Sequence, residues 1–128
     1  GSDLVGGIVL SSGGEALPTW QSLRVVTLAA WMLGDARLTS PSEVVPEVSR
    51  LLGAMEFLRR LTADESTCHM YPSPSRAMWG VRVATWDQRM TPEASAMGLI
   101  AVSEVLSSVA RIADRSPSSS TVNGGENR

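Results

Sequence analysis

Two small groups of residues in this chain are equipped for chemistry. Cys68 and His69 stand side by side and are the sole residues of their kinds. Thiolate and imidazole are ligands for zinc, and they are also the two halves of a nucleophile–base pair. Neighbours on an extended backbone point to opposite sides, which spoils the hydrogen bond that such a pair needs. For a metal, the flanking sequence offers no CxxC or HxxxH spacing. The second group is Trp79, Arg82, Trp86, Asp87 and Arg89, gathered in one short stretch. Tryptophan and arginine are the residues that most often anchor protein interfaces. The same tryptophans could instead plug the ends of a helical core while Asp87 pairs with Arg82 or Arg89. No Gly-rich phosphate loop is present, because Gly6-Gly7 and Gly13-Gly14 lack a following Lys-Ser/Thr. No paired carboxylates stand out.

Composition narrows the classes. With 128 residues the chain has the length of one domain with a real core. The hydrophobic share is 43% and the charged share 19%, as in ordinary globular chains. The chain has no lysine, and its arginines are scattered from Arg24 to Arg128 among 13 acids. They make no basic stripe, and the net charge of −2 argues against nucleic-acid binding. One cysteine excludes an internal disulfide and fits a reducing, cytoplasmic setting. The longest strongly apolar run, Val25 to Leu33, falls short of the ~20 residues of a spanning helix, so no membrane span is expected. Gly1-Ser2 reads as the remnant of a cleaved tag.

Three helices must position these residues, in an all-α fold of antiparallel hairpins with one long structured loop. Residues 1–17 form an irregular arm, pinned by Ile8-Val9-Leu10, since glycine pairs oppose a helix. The helical domain spans 18–115. Its first helix runs from Pro18 or Thr19 to about Leu33 and is apolar nearly all round, so it should be buried on several sides. The second opens with Ser40-Pro41-Ser42-Glu43, the form of a capping box, and holds its period to Leu61. Pro46 marks either a kink or the true start. Residues 64–90 are the long connection, with a short strand allowed at Trp79–Trp86. The third helix follows Thr91 as cap and Pro92 at its first position. Met97, Ile100, Ala101, Val105, Leu106, Val109 and Ile112 mark its expected buried stripe. Residues 116–128 form a disordered tail by composition.

The run Trp86-Asp-Gln-Arg-Met-Thr-Pro-Glu-Ala-Ser-Ala-Met-Gly-Leu-Ile-Ala-Val-Ser-Glu-Val-Leu106 resembles a repeat unit of the α/α-toroid proteins. These include squalene-type terpenoid cyclases and protein prenyltransferase β subunits. Leu17-Pro-Thr-Trp-Gln-Ser-Leu-Arg-Val-Val-Thr-Leu-Ala-Ala-Trp31 is similar to another such helix, and the likeness covers about 17–115. It implies a helical-hairpin architecture and, for some members, catalytic zinc held by Asp, Cys and His. In this sequence that set falls on Cys68, His69 and Asp87. The cyclases' Asp-x-Asp-Asp acid and their full Gln-and-Trp repeat are missing.

Three helices with a first helix apolar all round make a poor self-sufficient bundle. The expectation is therefore a non-catalytic helical interaction or oligomerisation module, standing alone or as a fragment of a larger toroid-type protein, without a cofactor. Its partner would be protein: a second copy or the rest of a longer parent chain. Trp20, Trp31, Trp79, Arg82, Trp86 and Arg89 are its interface candidates. The alternative is part of a toroid enzyme acting on an isoprenoid or peptide, with zinc on Cys68, His69 and Asp87.

Overall fold

Thr91 and Pro92 set the longest element of the fold. The Thr91 hydroxyl accepts the Ala94 N–H at 3.1 Å, and Pro92, which has no N–H to leave unpaired, opens the helix. The computed structural model describes residues 2–10 and 17–115, and it is all-α. Helix α1 spans Ser22–Gly34, α2 Val44–Leu61, the one-turn α3 Pro74–Ala77, and α4 Pro92–Arg115. Short 3-10 turns occupy Ser2–Leu4 and Cys68–Met70. The expected tail lies outside the described residues.

The helix starts differ from their sequence signals in informative ways. Residues Thr19 to Gln21 wind as a turn, and α1 proper begins only at Ser22. Half of the capping box at Ser40 forms, with the Glu43 carboxylate accepting both the backbone N–H (3.0 Å) and the hydroxyl (2.6 Å) of Ser40. The reciprocal bond from the Ser40 side chain is missing, so residues 41–43 stay a turn. Helix α2 then starts at Val44, with Pro46 in its first turn, where no intrahelical donor is lost.

Two clusters make the core. Leu23, Phe57, Leu58, Leu61, Val81, Ala94 and Ala101 form one, and Val26, Ala30, Leu33, Leu51, Ala54 and Val105 the other. Helix α4 lies on α1 through small side chains. The Ser108 hydroxyl donates to the Ala30 carbonyl, and Arg115 donates to the Gly34 carbonyl. Both bonds advance together along the two helices, so α1 and α4 run in the same direction.

The arm is pinned by one residue of the expected patch. Ile8 N–H donates to Ser22 Oγ at 3.0 Å, and the Ser22 hydroxyl donates back to the Ile8 carbonyl at 2.7 Å. Val9 and Leu10 stay exposed. Gly6 makes the approach to α2 possible: it has φ +87°, and a Cβ there would sit 2.0 Å from the Gly53 carbonyl oxygen.

The long connection holds no strand among the described residues. It is anchored instead by two isolated antiparallel bridges, Thr62 with Val81 and Arg82 with Met90. Val81 and Ala84 enter the core from it. The first helix is likewise less buried than its composition suggests. Ser22, Leu23, Val26, Ala30, Leu33 and Gly34 are covered, while Leu28, Trp31 and Met32 face water.

Candidate functional site

The residues with metal-ligand chemistry do not converge. Cys68 is buried in its 3-10 turn, its N–H donating to the Asp64 carbonyl at 2.8 Å and its thiol facing the Glu65 carbonyl at 3.7 Å. His69, the next residue, is exposed. Asp87 is clasped by Arg89, whose Nε lies 3.0 Å from each carboxylate oxygen. That side-chain bond holds the Asp87 carboxyl below its ordinary range. Among the described residues no three His, Cys, Asp or Glu side chains are grouped to hold a metal.

The arginines of the second group are spent on the loop itself. Arg82 reaches back over the C-terminus of α2, donating from Nε to the Leu61 carbonyl (3.3 Å) and from Nη2 to the Arg60 carbonyl. It thereby satisfies helix-end acceptors that lack an internal partner. Its Nη1 donates to Gln88 Oε1 at 2.9 Å, and the same oxygen accepts the Tyr71 hydroxyl at 3.2 Å. Burial pushes the Tyr71 phenol up. Arg82 thus braces the connection, while Arg89 clasps Asp87 with its side chain largely exposed.

The tryptophans do the opposite of plugging the core. Trp79 is 68% exposed and Trp86 52%. Trp79 takes φ +66°, a left-handed backbone that a bulky residue adopts at a cost. The bonds around it hold it there: Trp79 N–H donates to the Ala63 carbonyl at 2.7 Å, and Ala63 N–H to the Gly80 carbonyl at 2.9 Å. Trp20 packs partly into the core with the Arg24 guanidinium over its ring, 5.4 Å from the centroid. Trp31 stands half exposed on α1.

An extended unpartnered apolar face lies on α4. Its buried residues are Ala94, Gly98, Ala101, Val105 and Ser108. Of the stripe expected from sequence, only Ala101 and Val105 are fully inside; Ile100, Leu106 and Val109 face water. The reason is close packing. A Cβ at Gly98 would lie 2.9 Å from Val81 Cγ2, so this side of α4 has room only for small side chains. The larger residues are displaced outward, with Leu99 73%, Leu106 65% and Ile100 51% exposed. Between Ala96 and Ala110 the one charged residue is the half-buried Glu104. The nearest charges, Glu104 and Arg111, lie at the edge of this face and pair with each other at 2.7 Å. The signal was present in the sequence as a second helical period, small residues at 94, 98, 101 and 108, running beside the larger apolar one.

Helix α4 also bears on the expectation of no membrane span. Its 24 residues reach a mean hydropathy of 1.5 over an 18-residue window, of which 17% is buried, so it is long and apolar enough to cross a bilayer. Alanine, glycine and serine interrupt the run of large apolar residues and hid this length from a count of consecutive apolar positions.

Comparison of the chain with protein-family models, with curated proteins and with solved structures gave no match.

Proposed function

We propose that this chain is a non-catalytic helical association module whose working surface is the outer face of α4. In this reading α1–α2 and α2–α4 are antiparallel hairpins of toroid type, and protein covers the face that they leave open. The observation that carries it is the exposed apolar face of α4 from Ala96 to Ala110, whose one charged residue, Glu104, lies at the edge and is paired to Arg111. A helix face that meets water in the working state ordinarily bears charge. Helix α2 of the same chain does so, with Arg50 paired to Glu47 and Arg59 paired to Glu56.

Protein is favoured over lipid as the covering medium. The back of α4 is fixed to the core by the Ser108 and Arg115 bonds to α1, so the helix is a wall of the folded unit. Ser103 and Ser107 lie on its open face, and Glu104, Arg111, Asp114 and Arg115 crowd its second half. A helix surrounded by hydrocarbon would have to bury those groups at considerable cost.

The test compares the wild type with the double variant Leu99→Asp/Leu106→Asp. The wild type should either sediment above the mass of one chain or bind a hydrophobic dye as a monomer, and the variant should abolish whichever is seen. A wild-type monomer that binds no dye contradicts the reading. So does uptake onto phosphatidylcholine vesicles that the double variant eliminates.

A further inference from the structure

Resting on that association reading, we infer that the occupant of the α4 face is a second copy of the chain, docked antiparallel about a two-fold axis at Ser103. The outermost line of the exposed face is Ala96, Ser103 and Ala110, three small residues seven apart. Leu99 and Leu106, also seven apart, run along one side of that line. Ile100 and Ser107 repeat the spacing on the other side. A seven-residue repeat keeps one seam facing a partner helix over several turns. Small residues on the seam let two backbones approach closely.

The arrangement is symmetric in the sense that an antiparallel pair requires. Ala96 and Ala110 lie seven residues either side of Ser103, Ile100 and Leu106 three either side, and Leu99 and Ser107 four either side. In the pair, Ala96 of one copy meets Ala110 of the other, Leu99 meets Leu106 on one side of the seam, and Ile100 lies over Ser107 on the other. The face is thus complementary to itself, as an isologous contact must be. The one charge between Ala96 and Ala110, Glu104, is already paired within the chain to Arg111, so the face needs no charge from the partner. A partner with a different sequence would ordinarily be selected by charge at the flanks of the seam. Those flanks are Val102 and Val109, which are exposed and uncharged, and the Glu104–Arg111 pair, already closed on itself.

The test uses the full chain with cysteine placed on the seam in a Cys68→Ser background, with the native chain as control because its one cysteine is buried. Under mild oxidation Ser103→Cys should form a covalent dimer. Ala96→Cys and Ala110→Cys should each stay uncrosslinked alone and crosslink when mixed. Helical content by circular dichroism confirms that each variant is folded. As a readout independent of thiols, Ser103→Asp sets two carboxylates against each other at the axis and should raise the concentration for half-association at least tenfold.

Self-crosslinking of Ala96→Cys and of Ala110→Cys would show a parallel pair and overturn the antiparallel assignment. Absence of any crosslink, together with a monomeric wild type, would overturn the second copy as occupant. If that monomer binds dye through Leu99 and Leu106, the association reading stands while this inference fails. If it binds none, both fail.

Discussion

Substituting Gly98 by alanine tests the close seating of α4 on the core. A Cβ at this position would lie 2.9 Å from Val81 Cγ2 and 3.4 Å from Leu58 Cδ1. Val81 is 4% exposed and branched at Cβ, so it has few rotamers with which to yield. Overpacking of this kind costs about 1–3 kcal/mol. Alanine recovers about 1 kcal/mol of helix propensity over glycine. The net expectation is a loss of about 1 kcal/mol. Gly53→Ala on α2 is the matched control. Its added Cβ would meet only Gly6 Cα, at 3.9 Å, an ordinary contact. The propensity gain should survive there, giving about 0.5–1 kcal/mol of added stability. Urea unfolding of both variants at one fixed protein concentration should therefore move their midpoints in opposite directions from the wild type. If Gly98→Ala stabilises as much as Gly53→Ala, α4 does not approach Val81 as described. The reason given for its apolar outer face would then fail.

Three further substitutions probe the frame around that face. Ser22→Ala removes the hydroxyl that both accepts from and donates to the Ile8 backbone, and it should cost about 1–3 kcal/mol in urea unfolding and speed proteolysis of the arm. Thr91→Ala deletes the cap on the Ala94 N–H and should cost about 1 kcal/mol by the same assay. Glu56 is held at a pKa of about 2, down from 4.5, chiefly by its hydrogen bonds from Arg59. Its folded pKa lies below its unfolded one, so the stability it contributes is complete above about pH 4.5 and is lost as pH falls toward 2. Unfolding measured across that window should show a shallower acid decline for Glu56→Gln than for the wild type.

Local chemistry was the most legible part of this sequence. The Thr91-Pro92 start of α4 follows from capping rules that depend on a few adjacent residues, and it forms as expected. Pro46 signals a kink or the start of α2, but the helix begins two residues earlier at Val44, because a first-turn proline costs no intrahelical bond. What periodicity alone could not decide was which of two faces of α4 turns inward. Large apolar residues ordinarily win that contest by transfer free energy. Here the Val81 loop and α1 approach so closely that Gly98, Ala101 and Ser108 fit and Leu99 does not. The tryptophans misled in a similar way. Their size argues for burial, yet Trp79 and Trp86 lie on a loop whose core positions are taken by Val81 and Ala84. Asp87 and Arg89 sit two residues apart in a turn and satisfy each other, a pairing open to sequence reasoning. The capture of the Arg60 and Leu61 carbonyls by Arg82 joins positions more than twenty residues apart and was not.

The central claim is that the outer face of α4 is an association surface, and sedimentation equilibrium tests it most directly. Leu99, Ile100, Val102, Leu106 and Val109 are 38% to 73% exposed in the single chain. At about 1.5–3 kcal/mol for full burial of each, covering them yields roughly 4–8 kcal/mol per copy, or about 8–16 per pair. Association itself costs about 4–15 kcal/mol. The two ranges overlap, so the pair should be reversible and concentration-dependent. The account predicts an average mass that climbs from 13.6 kDa toward twice that value as concentration rises through the micromolar range and above. Leu99→Asp/Leu106→Asp should hold it at 13.6 kDa throughout. A wild-type chain that stays at 13.6 kDa over the same range and takes up no hydrophobic dye would contradict it.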